Sequence, residues 1–271
     1  MGLFMKVLIS FLSLVSLSAF ACENYQGLSF CVGDKAVAEN ADGSIVGVSK
    51  TKVSIDFTGG STARRGIATF DLAKVYLGKD CSGDFCVNDK AVGGNLEGII
   101  VGVSKDGVAI NHKKVSDKYS VIKTYQQKDS LVRKGCVEAY CANDSAVYKS
   151  FDGVIVGVNA KSSLVAISFV GGTSKYTGVG TYTLKTVGIG KGCFQGYCYG
   201  DRAVSGSVDG VIVGVNPYRN QVSVQGKING RPVIVTNDLK NVTMRSLSES
   251  VHANDPKRMI NTLSDFNHSF R

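Results

Sequence analysis

FCVGDKAV at residues 30–37 is the first of four closely similar segments, and their spacing decides the architecture of the chain. The other copies are FCVNDKAV at 85–92, YCANDSAV at 140–147 and YCYGDRAV at 197–204. Successive copies start 55, 55 and 57 residues apart. A fixed period of this length is the signature of a repeat protein. The sequence therefore predicts four tandem units, whereas 271 residues alone would suggest one or two domains.

Each copy is followed by an acidic residue and a glycine, as in Asp42-Gly43, and then by a run of β-branched residues. The pair predicts a turn, and the run predicts a strand. A glycine interrupts each of these strands, where it usually marks a β-bulge. These predicted bulge glycines are Gly47, Gly102, Gly157 and Gly214.

Two more strands and a closing motif complete the unit. The segments VSIDF at 53–57 and VAISF at 165–169 alternate in polarity, which predicts one buried and one exposed face. A variable loop and another strand follow, and the unit ends in a motif such as LAKV at 72–75. Each unit therefore carries four or five short strands.

This order of elements resembles the SH3-like small β-barrel of Tudor-type and related modules. The resemblance spans residues 28–243 and implies an all-β chain of four tandem barrels, with no aromatic cage or proline-rich-ligand groove carried over. A four-bladed β-propeller, with one sheet per repeat, is the alternative. The predicted boundaries are 22–77, 78–132, 133–189 and 190–243, followed by a tail at 244–271 with a short amphipathic helix beginning at Asp255-Pro256.

The N-terminus has the pattern of a secretory signal. Lys6 precedes an apolar run from Val7 to Phe20 that ends in the small-x-small site Ala19-Phe20-Ala21. Residues 1–21 are predicted to be removed, which places the mature chain in the periplasm or outside the cell. Because Lys6 is the only charged residue lost, the net charge of +9 becomes +8.

The eight cysteines form one pair for each repeat, and an even number in an exported chain points to disulfides. Cys22 directly follows the predicted cleavage site, so a lipoprotein anchored to the membrane at Cys22 is the alternative localisation. Thiolate pairs can also bind zinc, but the C-x4-C spacing and an oxidising compartment disfavour it, so no metal or other cofactor is expected. The predicted disulfides are Cys22–Cys31, Cys81–Cys86, Cys136–Cys141 and Cys193–Cys198.

Basic residues recur in the loop between the third and fourth strands, although the framework does not require them. On one side of an array they would form a cationic strip that contacts an anionic glycan, lipid head groups or an acidic protein. Charge that only aids solubility is the competing interpretation. The candidate ligand-binding residues are Arg64, Arg65, Lys113, Lys114, Lys118, Lys175, Tyr176, Lys227 and Arg231.

Little in the sequence indicates catalysis. There are three histidines, two of them in the tail, and no nucleophile elbow, calcium loop or phosphate-binding loop is found. The aspartates Asp34, Asp89, Asp144 and Asp201 recur at a turn, where Asp accepts local backbone hydrogen bonds. The aromatic residues Phe30, Phe85, Tyr140 and Tyr197 precede the second cysteine of each pair and are predicted to pack there.

The sequence thus predicts a non-catalytic exported binding or scaffold protein of the cell envelope, with an envelope glycan or protein as its partner. Nucleic acid is not an expected partner, because the net charge is mild and dense basic clusters are lacking. A purely structural or inhibitory secreted repeat protein is the alternative, and a hydrolase is a weaker one. The sequence leaves the oligomeric state open.

Overall fold

The computed structural model describes residues 21–114, 116–173 and 176–245. Within these ranges the protein is all-β, with strands, turns and four 3₁₀ helices of three residues each. None of the helical segments there has the length and hydrophobicity that crossing a bilayer as a helix requires. Residues 1–20 of the predicted signal and the predicted tail helix beginning at Asp255 lie outside the described residues.

The strands follow the sequence repeats. The first repeat contains β1 (Cys22–Tyr25), β2 (Leu28–Cys31), β3 (Lys35–Ala38), β4 (Ala41–Val48), β5 (Lys52–Asp56), β6 (Ile67–Asp71), η1 (Leu72–Lys74) and β7 (Tyr76–Leu77). The second contains β8 (Cys81–Ser82), β9 (Phe85–Cys86), β10 (Lys90–Gly93), β11 (Leu96–Val103), β12 (Gly107–Asn111), β13 (Ile122–Gln126), η2 (Gln127–Asp129) and β14 (Ser130–Val132).

The same order recurs in the second half of the chain. The third repeat contains β15 (Cys136–Val137), β16 (Tyr140–Cys141), β17 (Ser145–Tyr148), β18 (Phe151–Asn159), β19 (Leu164–Ser168), β20 (Val179–Thr183), η3 (Leu184–Thr186) and β21 (Gly188–Ile189). The fourth contains β22 (Cys193–Phe194), β23 (Tyr197–Cys198), β24 (Arg202–Ser205), β25 (Val208–Asn216), β26 (Gln221–Ile228), β27 (Arg231–Asp238), η4 (Leu239–Asn241) and β28 (Val242–Met244).

The described residues form two compact units. Unit 1 contains 21–88, 99–114 and 116–126, and unit 2 contains 89–98, 127–173 and 176–245. The second repeat contributes to both units, β12 and β13 to the first and β10 and β14 to the second. The domain boundaries drawn from the repeat period stay predictions.

Unit 1 is built from antiparallel pairs. The strands β3, β4, β5 and β6 pair in sequence, and β7 returns to pair with β3. β7 also pairs with β11 of the next repeat, through Leu77 and Val103. One closing strand therefore belongs to two repeats.

Unit 2 repeats these connections. β17 to β20 pair in sequence and β21 returns to β17, while β24 to β27 pair in sequence and β28 returns to β24. The closing strands β14 and β21 also pair with β18 and β25 of the following repeats. No closed barrel is present among the described residues.

The predicted bulges are confirmed, because the strand register shifts at Gly47, Gly102, Gly157 and Gly214. Three of these glycines lie against a neighbouring strand. A Cβ at Gly102 would be 2.9 Å from Tyr76 Cβ, and one at Gly157 would be 2.8 Å from Leu131 Cβ. Gly47, in the first repeat, has its nearest contact at 3.7 Å. Gly102 and Gly157 thus admit the closing strand of the preceding repeat, whereas a Cβ at Gly214 would first meet Val147 of β17, at 3.1 Å.

The expected turn at the acidic-Gly pair is wrong. Asp42-Gly43 lies within β4, and the hairpin turn is the preceding pair Glu39-Asn40, with φ of +49° and +61°. Gly43 is needed for a close approach, since a Cβ there would be 2.4 Å from the Asp56 carbonyl oxygen.

Burial differs between copies of the alternating strand. In β5 the inward residues Val53 and Ile55 are buried, and Ser54 and Asp56 on the other face are partly exposed, as predicted. In β12 and β19 both faces are buried, because a second cluster forms on the outer face around Ala109 in unit 1 and Ala166 in unit 2. The expectation of an exposed face is therefore wrong for these two strands.

Candidate functional site

All eight cysteines lie in disulfides, with the pairing predicted from the repeats. Each bridge joins the two strands of a small antiparallel hairpin, such as β8–β9 with Cys81 opposite Cys86. The sulfur of Cys22 is bonded to Cys31, so it cannot also carry the thioether of a lipoprotein anchor. Four disulfides are typical of an oxidising extracellular or periplasmic location.

The recurring aspartates support the hairpins. Asp34 Oδ2 accepts the N–H of Cys31 at 2.9 Å, and Asp144 and Asp201 accept the equivalent N–H of Cys141 and Cys198. A lysine two residues after the closing strand also pairs with the aspartate of the repeat that this strand closes. These pairs are Lys79–Asp34, Lys134–Asp89 and Lys191–Asp144. The lysine was missed in the sequence, although the same repeat alignment reveals it.

The aromatic residue before the second cysteine belongs to the core. Phe30, Phe85 and Tyr140 are buried, and the Tyr140 hydroxyl donates to the Val187 carbonyl oxygen at 2.8 Å. Burial, and to a lesser degree the carboxylate of Glu138, raises the pKa of Tyr140 to about 12. These rings pack inside their repeats.

Arg64 and Arg65 lie in the loop between β5 and β6, and both are held by local contacts. The Arg64 guanidinium forms an ion pair with Glu39 at 2.7 Å and lies 4.3 Å from the centre of the Phe57 ring. Arg65 Nη1 donates to the carbonyl oxygens of Thr62 and Arg64. Arg64 therefore covers the end of the core in addition to carrying charge.

Lys113, Lys114 and Lys118 lie in the loop between β12 and β13, and all three are exposed. Among the described residues, their ammonium groups form no ion pair. The Ser120 N–H donates to the Ser61 carbonyl oxygen at 3.1 Å, which joins this loop to the one that carries Arg64 and Arg65. Unit 1 thus brings five of the candidate cations together on two contacting loops.

The candidates in unit 2 differ from the prediction. Lys227 and Arg231 are exposed but belong to β26 and β27, whose hairpin turns at Asn229-Gly230 with φ of +51° and +77°. Their assignment to a loop is wrong, because the two strands continue their pairing up to the turn. Lys175 lies outside the described residues.

Tyr176 belongs to an aromatic cluster on the third repeat. It occupies the position that Arg64 has in the first repeat, and its ring lies 5.3 Å from Phe169 and 5.5 Å from Phe151. Tyr148 and Tyr182 stack beside them with ring centroids 3.8 Å apart. This cluster was not predicted from the sequence. Its signal is the change from Ala38 and Ala41 in the first repeat to Tyr148 and Phe151 in the third.

A cleft of about 400 Å³ opens beside Tyr148 in unit 2. It lies between the β17–β18 turn, the segment from η3 to β21, and the β25–β26 hairpin. Lys149 and Arg219 are among its lining residues. A smaller cleft of about 270 Å³ in unit 1 is lined by residues of both charges, Lys105 and Asp106.

No protein-family model and no curated protein matches this chain. The functional assignment therefore depends on the geometry of the contacting basic loops and of the clefts.

Proposed function

We propose that this protein is an exported, non-catalytic binding protein of the cell envelope that holds an anionic glycan through the basic loops of unit 1. The observation that carries the proposal is the hydrogen bond between Ser120 and Ser61, which places two basic loops side by side. Several weak contacts to one polymer add to a useful affinity when the binding groups are held close together.

The proposed fold is an array of SH3-like small barrels, each open rather than closed. The return of β7 to β3 and of β21 to β17 supports this fold, because in it the strand after the 3₁₀ turn pairs with the first strand of the unit. The pairing of β21 with β25 favours this arrangement over a propeller, whose blades are separate four-stranded sheets.

The proposal of export relies on the predicted signal at 1–21 and on the disulfides. The proposal that the protein is not an enzyme is supported by the state of its one histidine in the described residues. His112 is buried, and its Nε2 lies 2.9 Å from the Tyr125 hydroxyl within the fold. All the cysteine sulfurs are likewise engaged in disulfides.

Charge reversal in one loop tests the proposal. The K113E/K114E/K118E variant changes three exposed side chains that have no ion pair among the described residues, so folding should be retained. We expect it to leave a column of immobilised heparin, used as a model acidic glycan, at lower salt than the wild type. The same shift is expected for retention on isolated cell envelopes, because exposed charges act through screened electrostatics.

The K50E/K52E/K105E variant is the matched control. Its three lysines are exposed in unit 1 but lie at the start of β5 and in the turns before β5 and β12, at the other ends of these strands from the two loops, and the change in net charge is identical. The control should elute from the heparin column at a salt concentration close to that of the wild type. If both variants lose retention equally, net charge explains the binding and the loop proposal is wrong.

A further inference from the structure

The cleft in unit 2 has only positive charge among its ionisable lining groups. Lys149 and Arg219 contribute to its wall, and no carboxylate does. Neither of these side chains has an ion pair among the described residues. A concave site with two uncompensated cations and no acid selects an anionic ligand.

A network of hydrogen bonds fixes the frame that carries these cations. The Thr236 hydroxyl donates to the Lys149 carbonyl oxygen at 2.6 Å and lies 2.8 Å from Ser223 Oγ. Asn216 Oδ1 accepts the N–H of Arg219 at 3.2 Å, which holds the β25–β26 turn. The backbone at both cations is therefore in place before a ligand arrives, which reduces the entropy lost on binding.

The cleft also offers neutral groups suited to hydroxyls. Gln221 Nε2 donates to Asp238 at 3.0 Å, which leaves the amide oxygen of Gln221 as an acceptor. Ser223 Oγ retains bonding capacity beside Thr236. Both residues line the cleft, so a ligand that carries hydroxyl groups can form several hydrogen bonds there.

An aromatic side chain completes the wall. Tyr148 lines the cleft and is stacked on Tyr182 with an angle of 23° between the ring planes. Such a ring is rigid and amphipathic, and it packs well against the C–H face of a sugar. An aromatic ring, hydroxyl-binding groups and two cations in one cleft are together the elements that recognise a charged sugar.

We propose that this cleft binds one sugar residue that carries a carboxylate or a sulfate. The anionic group lies between Lys149 and Arg219, the ring packs on Tyr148, and the hydroxyls bond to Gln221 and Ser223. The volume of about 400 Å³ is in the range of small-molecule sites. The inference rests on the proposed function for the class of ligand, whereas its geometry is confined to unit 2.

Calorimetric titration of the full-length, disulfide-bonded protein tests the proposal. The probes are trigalacturonate, a sulfated disaccharide, uncharged galactotriose and inorganic sulfate. We expect at least one of the two acidic saccharides to bind at least about tenfold more tightly than galactotriose and inorganic sulfate, since a charged hydrogen bond is worth about one order of magnitude. The two acidic arms distinguish a carboxylate from a sulfate. Equal affinity for galactotriose, or for sulfate alone, overturns the proposal.

Variants locate the binding. We expect R219Q and K149Q each to weaken binding of the acidic saccharide about tenfold, and Y148L to weaken it while Y148F retains it. The control K161Q changes an exposed lysine in the β18–β19 turn of the third repeat, which does not line the cleft, and should bind as the wild type does. Melting temperatures of all variants identify any that fail to fold. If folded R219Q and K149Q bind normally, the proposal is wrong.

The two proposals fail separately. The K113E/K114E/K118E variant should lose retention on the polymer yet bind the short acidic saccharide normally. If retention depends on the loops but neither acidic saccharide binds, the cleft proposal is wrong and the proposed function still stands. If the acidic saccharide binds in the cleft but the loop substitutions leave retention unchanged, the loop proposal is wrong and the cleft proposal is supported.

Discussion

Replacing the bulge glycines by alanine should have opposite effects in neighbouring repeats of unit 1. In G102A the new Cβ would lie 2.9 Å from Tyr76 Cβ and 3.1 Å from its carbonyl oxygen, closer than side chains pack. β7 must then move, although it pairs with both β3 and β11. In G47A the nearest atom is 3.7 Å away, an ordinary contact.

The expected magnitudes follow from these distances. Overpacking of a core costs about 1–3 kcal/mol, whereas replacing glycine where the backbone accepts alanine stabilises by about 0.4–1 kcal/mol. The net change in the free energy of unfolding is therefore a loss of roughly 0.5–2 kcal/mol for G102A and a gain of up to about 1 kcal/mol for G47A. For a chain of this size each kcal/mol moves the melting temperature by about 2–4 °C.

Urea unfolding under non-reducing conditions, followed by circular dichroism, measures both variants. Since Gly47 and Gly102 both lie in unit 1, their transitions are directly comparable. G102A should unfold at lower urea than the wild type, and G47A at equal or higher urea. A G102A midpoint at or above that of the wild type, or an equal loss in G47A, would refute the role assigned to the bulge.

Two further substitutions test local contacts. D42A removes the carboxylate that accepts the N–H groups of Ser61 and Thr62 at 2.8 and 3.2 Å. We expect the free energy of unfolding to fall by about 1–2 kcal/mol and trypsin to cleave loop 58–66 faster. Unchanged cleavage would contradict this prediction. Y140F loses the bond to Val187, so its stability at neutral pH should fall by about 0.5–1.5 kcal/mol. The pKa of Tyr140 in the folded protein, about 12, is above the ordinary value of 10.0, so the wild type should lose stability as the pH rises from 10 towards 12. Urea titrations over this pH range should show a smaller loss of stability for Y140F.

Local patterns in the sequence predicted much of this structure. The repeat period, the strands, the bulge glycines and the disulfide pairs each depend on residues close in the chain. The acidic-Gly turn was misassigned because the real turn residues share no motif between copies, as Glu39-Asn40 and Lys149-Ser150 illustrate. The glycine next to the acid is required by an oxygen of a different strand, which a local pattern does not reveal.

The contacts between repeats were the harder part to predict. Ala109 and Ala166 look like the outward residues of half-exposed strands, and their burial depends on the packing of another repeat. The cleft has no periodic signal, since Lys149 and Arg219 come from different positions of two repeats. The basic residues were found by their recurrence, but which of them share a surface depends on the contact between Ser61 and Ser120.

The bridging of cysteines only five positions apart has a consequence for oxidation of the new chain. In three of the four hairpins the partner thiol is five residues away, and in the fourth it is nine away. Closing such short loops has a smaller entropic cost than joining cysteines of different repeats, so the native partner is met at the highest effective concentration. Each repeat can therefore acquire its bridge as soon as its own hairpin meets an oxidant, without waiting for the next repeat, and with little need for disulfide reshuffling.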